Sequence, residues 1–186
     1  MKTRFTLKAL ALAFTAALFF NASSAQAQLN STGTVTLTLD LRNVLEFSVL
    51  EANSSVIFNT VAEYNLGTDT TQAAQLKVSS NIPYKIEVKS SSTAFDDGSS
   101  NTIPLDVMHI KVNGNSDNDV TFTEPEVTLA TTNGTIATTT TGSIDRTYSI
   151  RYRATPSATG SVPGNEFITS PTGVYSATLV YTVTQL

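Results

Sequence analysis

Between residues 34 and 41 every second side chain is apolar. Val35, Leu37, Leu39 and Leu41 alternate with Thr34, Thr36, Thr38 and Asp40. A period of two puts one set on each side of an extended backbone, whereas a helix would scatter the same residues around its axis. The pattern recurs along the chain. Leu45, Phe47 and Val49 share a face in residues 44–50; Tyr148, Ile150 and Tyr152 oppose Ser149, Arg151 and Arg153. Tyr175, Ala177, Leu179, Tyr181 and Val183 line one side of residues 174–184. Much of the polar side is Thr, with 28 of them after residue 27. Its branched Cβ suits a pleated, half-buried surface and is a poor helix filler.

Further strands are expected at 55–59, 75–79, 84–89, 105–112, 120–123 and 126–130. Asn81-Ile82-Pro83, Asp96-Asp97-Gly98, Asn113-Gly114, Asn133-Gly134 and Pro163-Gly164 punctuate them as turns. The only helical turn expected lies near 70–74. Residues 130–142 are Thr-rich and read as a long hairpin, and 155–172, with Pro156, Pro163 and Pro171, read as a surface loop. Many short strands of uneven length point to an all-β fold, a single immunoglobulin-like β-sandwich over residues 28–186, rather than a regular barrel.

Residues 1–27 stand apart. Lys2, Arg4 and Lys8 precede an apolar run at 9–20, and Ala25-Gln26-Ala27 ends it in small residues. That is the layout of a cleaved signal peptide, and the run is shorter than the roughly 20 residues a membrane-spanning helix needs. Export to the periplasm, cell surface or extracellular space is therefore expected, with no membrane span in the mature chain. Without the leader, eight basic residues face fifteen acidic ones, a net charge of −7. An acidic chain with no basic run argues against nucleic acid as a partner. The sequence has no Cys, so an exported chain must hold itself together by sheet packing, and thiol catalysis and thiolate metal sites are excluded.

Candidate chemistry is sparse. His109 is the only histidine. It shares a strand face with Lys111, opposite Met108, Ile110 and Val112, and one imidazole without Cys cannot build an ordinary zinc site. No G-x-S-x-G elbow accompanies it. Asp96 and Asp97, like Asp117 and Asp119, sit in turns, where Asp is common for backbone reasons. Asn113, Asn115, Asp117 and Asp119 offer alternating oxygens to calcium, but without the order of an EF-hand, and a solvated turn is the competing reading. No Trp is present to make a sugar-stacking platform. The expectation is a non-enzymatic protein with no cofactor, whose partners are proteins, itself included, or carbohydrate.

The segment Gly173-Val-Tyr175-Ser-Ala177-Thr-Leu179-Val-Tyr181-Thr-Val183 resembles the closing strand of bacterial pilin-like domains. These include chaperone–usher pilins and spore coat protein U-like domains. Gly173 is fourteenth from the C-terminus, with an aromatic two residues later and alternating apolar residues beyond. The segment Val78-Ser-Ser-Asn81-Ile-Pro83-Tyr84-Lys-Ile86-Glu-Val88 is similar to a strand–turn–strand corner of such surface domains. Two departures stand out: Gln185 occupies the penultimate position where those pilins carry an aromatic, and the disulfide many of them have is missing. The resemblance implies a fimbria-like subunit that assembles by β-strand addition. Val35, Leu37, Leu39 and Leu41 would be the donated face, and Gly173, Tyr175, Leu179, Tyr181 and Val183 the receiving edge. Each donor side chain, once buried, is worth roughly 1.5–3 kcal/mol. The same strand could instead close its own sandwich, giving a monomeric secreted module that binds carbohydrate or protein. Both arrangements bury the same face, so periodicity does not separate them.

Overall fold

A computed structural model describes residues 34–116, 125–156 and 166–186. It divides into two units, Met1–Asp40 and Leu41–Leu186. In the first, residues 34–40 form no regular secondary structure, and their side chains are exposed. The second is all-β.

Its first five-stranded antiparallel sheet has the spatial order β1 (Leu45–Val49), β2 (Thr68–Ser80), β9 (Ser143–Ala154), β6 (Met108–Asn115) and β7 (Val127–Thr128). A second sheet joins β10 (Leu179–Gln185), β3 (Tyr84–Ser90) and β8 (Gly134–Thr138), and a small ribbon pairs β4 (Ala94–Asp96) with β5 (Thr102–Pro104). The alternation expected from the sequence is realised most cleanly in β3 and β9. Tyr84, Ile86 and Val88 are buried on β3, and Tyr148, Ile150 and Tyr152 on β9. They meet Leu76 and Val78 of β2, Ile110 and Val112 of β6, and Ile136 of β8 in one core built from both sheets. Each such aliphatic side chain contributes roughly 1.5–3 kcal/mol by leaving water.

Where a disulfide would tie the sheets of many sandwich domains, tyrosine hydroxyls do so here. Tyr84 on β3 meets Tyr148 on β9 at 2.7 Å, and Tyr152 on β9 meets Tyr181 on β10 at 2.5 Å. Burial pushes the phenols of Tyr148, Tyr152 and Tyr181 up, so all three remain neutral in the core. A smaller cluster of Ile103, Val107, Ala154 and Phe167 carries Phe58, Tyr64 and Tyr175 on its flank.

Several elements differ from expectation. Residues 70–74 are strand rather than a helical turn. Ala74, at a φ of 47°, makes a bulge where the β2–β9 register shifts between Gln72 and Leu76. The expected strand at 55–59 is irregular and leads into α1 (Val61–Leu66). That helix is started by a reciprocal cap: Thr60 Oγ1 accepts from the Glu63 N–H, and Glu63 Oε2 accepts from the Thr60 N–H. Gly67 ends it at a φ of 87°, where an added Cβ would lie 2.3 Å from the Ala154 carbonyl oxygen. The 105–112 strand begins as a 3-10 turn, Leu105–Val107. Within the expected loop at 155–172, a short helix α2 (Glu166–Thr169) buries Phe167. The expected strand at 120–123 lies outside the described residues.

Candidate functional site

The two sheets end in strands whose inner faces are incompletely covered. In β1, Phe47 packs against the core, but Leu45 and Val49 remain 40% and 45% exposed. In β10, Leu179, Tyr181 and Val183 turn inward and are half-buried, while Val180, Thr182 and Thr184 turn out. β1 pairs only with β2 and β10 only with β3 among the described residues, so each offers one unpaired edge.

These edges lie on the same side of the sandwich, because side-chain hydrogen bonds bridge them. At one end, Gln185 Nε2 donates to the Val44 carbonyl at 2.8 Å and to Ser80 Oγ at 3.1 Å. Toward the other end, the Tyr181 hydroxyl meets that of Tyr152, which donates to Gln75 Oε1 at 2.7 Å. Gln75 Nε2 donates in turn to the Glu51 carbonyl just beyond β1. The polar ties hold the two edges, and between them lie the apolar side chains of β1 and β10. β10 runs toward the end at which β1 starts, as its terminal Gln185 at Val44 requires.

The start of β1 is pinned by one side chain. Asn81 Oδ1 accepts from the Val44 N–H at 2.9 Å, and Asn81 Nδ2 donates to the Arg42 carbonyl at 2.8 Å. Its backbone N–H adds a longer bond to the Val44 carbonyl, 3.4 Å. The amide and backbone of Asn81 thus carry the β1–β2 pairing one residue past its regular register, which ends with Leu45 opposite Ser80. Gly142 backs this corner closely: a Cβ there would lie 2.4 Å from the Asn81 carbonyl carbon.

The sequence-selected residues fall into three groups. Leu179, Tyr181 and Val183 lie together on the inner face of an edge strand. Gly173 and Tyr175, expected on the same strand, precede it; β10 starts only at Leu179, and the Tyr175 hydroxyl donates to the Pro171 carbonyl. Val35, Leu37, Leu39 and Leu41, expected in a strand, are in none, and are between 75% and 92% exposed. Asn81 and Gln185 were visible in the sequence only as a turn residue and as a departure from the pilin pattern. Their joint hold on Val44 needed the fold.

Elsewhere, the outer face of the first sheet carries a charged network. Glu126 accepts from Arg153 Nη2 at 2.7 Å and from Arg151 Nη2 at 3.0 Å. Partial burial works against the Glu126 carboxylate, yet Arg153 and then Arg151 hold it below the usual range. His109 lies beside it, with Nδ1 3.2 Å from Thr128 Oγ1. Burial first, and the Arg153 charge second, lower its pKa. A hydroxyl beside an imidazole is one element of a nucleophile–base pair, but this contact sits on an outward sheet face. A separate cleft of about 190 Å³ is lined by Leu66, Gly67, Asp69 and Arg153 among others. Of the calcium candidates, Asn113 and Asn115 are on β6, and Asp117 and Asp119 lie outside the described residues. Among the described residues no group of three or more acidic or imidazole side chains is placed to hold a metal ion, and no helix is long and apolar enough to cross a membrane.

No protein-family model matches the chain, and no curated protein matches it significantly.

Proposed function

We propose that this protein is a non-enzymatic, exported surface subunit that assembles by strand addition, residues 35–41 of one copy filling the open side between β1 and β10 of the next. One observation carries the reading. The chain holds a regular apolar face at Val35, Leu37, Leu39 and Leu41 that is exposed, and an edge strand whose apolar face is only half covered. Exposed, regular strands with unpaired edges are a liability that proteins pair or cover, and adding a strand from another chain does so through main-chain bonds and alternate side-chain pockets.

Strand order supports the same reading. In chain order, β1, β2, β3, β6, β9 and β10 take the places of the first six strands of a constant-type immunoglobulin sandwich, four in one sheet and two in the other. The seventh strand of that fold would lie beside β10, on its unpaired edge. Four donor side chains would bring roughly 6–12 kcal/mol of apolar burial, besides ladder hydrogen bonds, against the entropy of association.

The test is deletion and add-back. Protein lacking residues 1–27 is expected to form denaturant-resistant polymers. Removing 29–41 as well should leave monomers that bind a synthetic 29–41 peptide. A stable monomer of the longer protein, together with a truncated form that ignores the peptide, would instead favour a secreted binding module.

A further inference from the structure

Strand donation competes with self-closure. Residues 34–41 stand next to β1 in the chain, so a tight turn at Arg42-Asn43 would let them fold back along β1 and fill the open side of their own sandwich. We infer that Asn81 and Gln185 form a clamp on Val44 that forbids this return and so leaves the apolar segment for a second copy. The inference rests on the strand-addition reading and adds the device that sets its direction.

Hydrogen-bonding capacity sets the limit. A two-residue hairpin loop at 42–43 closes by pairing Leu41 with Val44, which needs the N–H and the C=O of Val44 to turn from β2 to the open edge. Both are already engaged. The N–H donates to Asn81 Oδ1, and the carbonyl accepts from Gln185 Nε2 and from the Asn81 N–H. A carbonyl has two acceptor lone pairs, and these two donors occupy them. Closing one residue later, onto Leu45, would put Val44 inside the turn and break the same bonds. Asn81 Nδ2 on the Arg42 carbonyl extends the restraint two residues upstream. Any return must then be made before Arg42, and that consumes the apolar residues it would deliver. The turn chemistry agrees, since Arg-Asn is not a pair that readily takes the positive φ angles of a type I′ loop.

Gln185 thereby acquires a role at the position where the pilin pattern has an aromatic. It is a positioning residue: it need not touch the donated strand, and it acts by occupying the Val44 carbonyl.

The experiment measures assembly and peptide uptake in protein lacking residues 1–27, with Asn81→Ala, Gln185→Ala, the pair, and Arg42→Asn with Asn43→Gly. Light scattering after size exclusion reads the monomer fraction, and uptake of labelled 29–41 peptide reads the open side. The clamp variants are expected to raise the monomer fraction at least tenfold, the monomer being folded by circular dichroism and refusing the peptide because its own segment fills the site. The Asn-Gly variant should push the same way. Asn81→Asp, which keeps the acceptor for Val44 and loses the donor to Arg42, should lie between. If Asn81→Ala does not fold, Gln185→Ala and Asn81→Asp carry the same expectation. Wild-type polymers alongside clamp variants that polymerise and take up peptide equally well would overturn the clamp but leave strand addition standing. A wild type that neither polymerises nor yields a peptide-binding form on truncation would remove strand addition itself.

Discussion

Tyr152 ties neighbouring strands of its own sheet to the opposite sheet. Its hydroxyl donates to Gln75 Oε1 and meets the Tyr181 hydroxyl, so one oxygen on β9 links β2 and β10. Removing it strands two partners at once, and buried polar groups without partners cost about 1–3 kcal/mol each. Tyr152→Phe is therefore expected to lower stability by about 2 kcal/mol in urea unfolding. Tyr181→Phe should cost less, because Tyr152 retains Gln75. A larger loss for Tyr181→Phe would mean that the network does not run as these contacts imply. The tyrosines were readable in the sequence as inward-facing. That their hydroxyls meet across the sheets was not, since Tyr84 and Tyr148 are 64 residues apart.

At the scale of elements, strands with full alternation on a covered face were legible and those at the margins were not. β3 matches its expected range closely and β9 contains the expected 148–153, though it starts earlier, at Ser143; both faces of each strand have fixed, opposite environments. The segment at 34–41 has an equally regular pattern and forms no strand, because a strand exists only where a partner supplies hydrogen bonds. β10 is shorter than its pattern for the same reason: before Leu179 the chain makes an isolated bridge, Ser176 with Asp96, and a bond from the Ser91 N–H to the Thr178 carbonyl, not a continuous ladder. The missed helix α1 had a signal in Thr60-x-x-Glu63, a reciprocal cap motif. Exposed residues outside any element tolerate substitution within about 0.5 kcal/mol, whereas a carboxylate in an apolar interface is costly. Leu37→Asp with Leu39→Asp should thus leave the urea midpoint unchanged and abolish polymer formation. A variant that unfolds would place these side chains in the subunit's own core.

For the whole molecule, acidification should reveal two separate losses of stability. His109 prefers its neutral form in the fold, through burial first and the charge of Arg153 second. As pH falls below the ordinary histidine value of about 6.5, the unfolded chain takes up this proton before the folded one, and stability drops until the folded imidazole also protonates. The carboxylates of Glu126, Asp145 and Asp97 are held low by Arg153, Lys77 and Asn101 respectively. Their contribution is present above the ordinary carboxylate range and is lost as pH falls through their folded values. Urea midpoints measured from pH 8 to pH 3 should show a shallow decline beginning near 6.5 and a steeper one below about 4.5. His109→Gln should erase the first alone. Stability that rises between pH 7 and pH 5 would contradict both the His109 environment and its sign.

Local pattern determined the all-β class, the inward faces of the long strands and the reliance on packing in a chain without Cys. Periodicity and composition are properties of neighbouring residues, so they need no knowledge of distant ones. Which strands stand at the edges, where the core is left half covered, and how Asn81 and Gln185 converge on Val44 were decided only by tertiary structure. Gln185 and Val44 are 141 residues apart, and a contact at that separation exists only once both sheets have formed. The apolar face at 35–41 belongs to both accounts: its pattern is written locally, and only the structure shows that its side chains are exposed and in no strand.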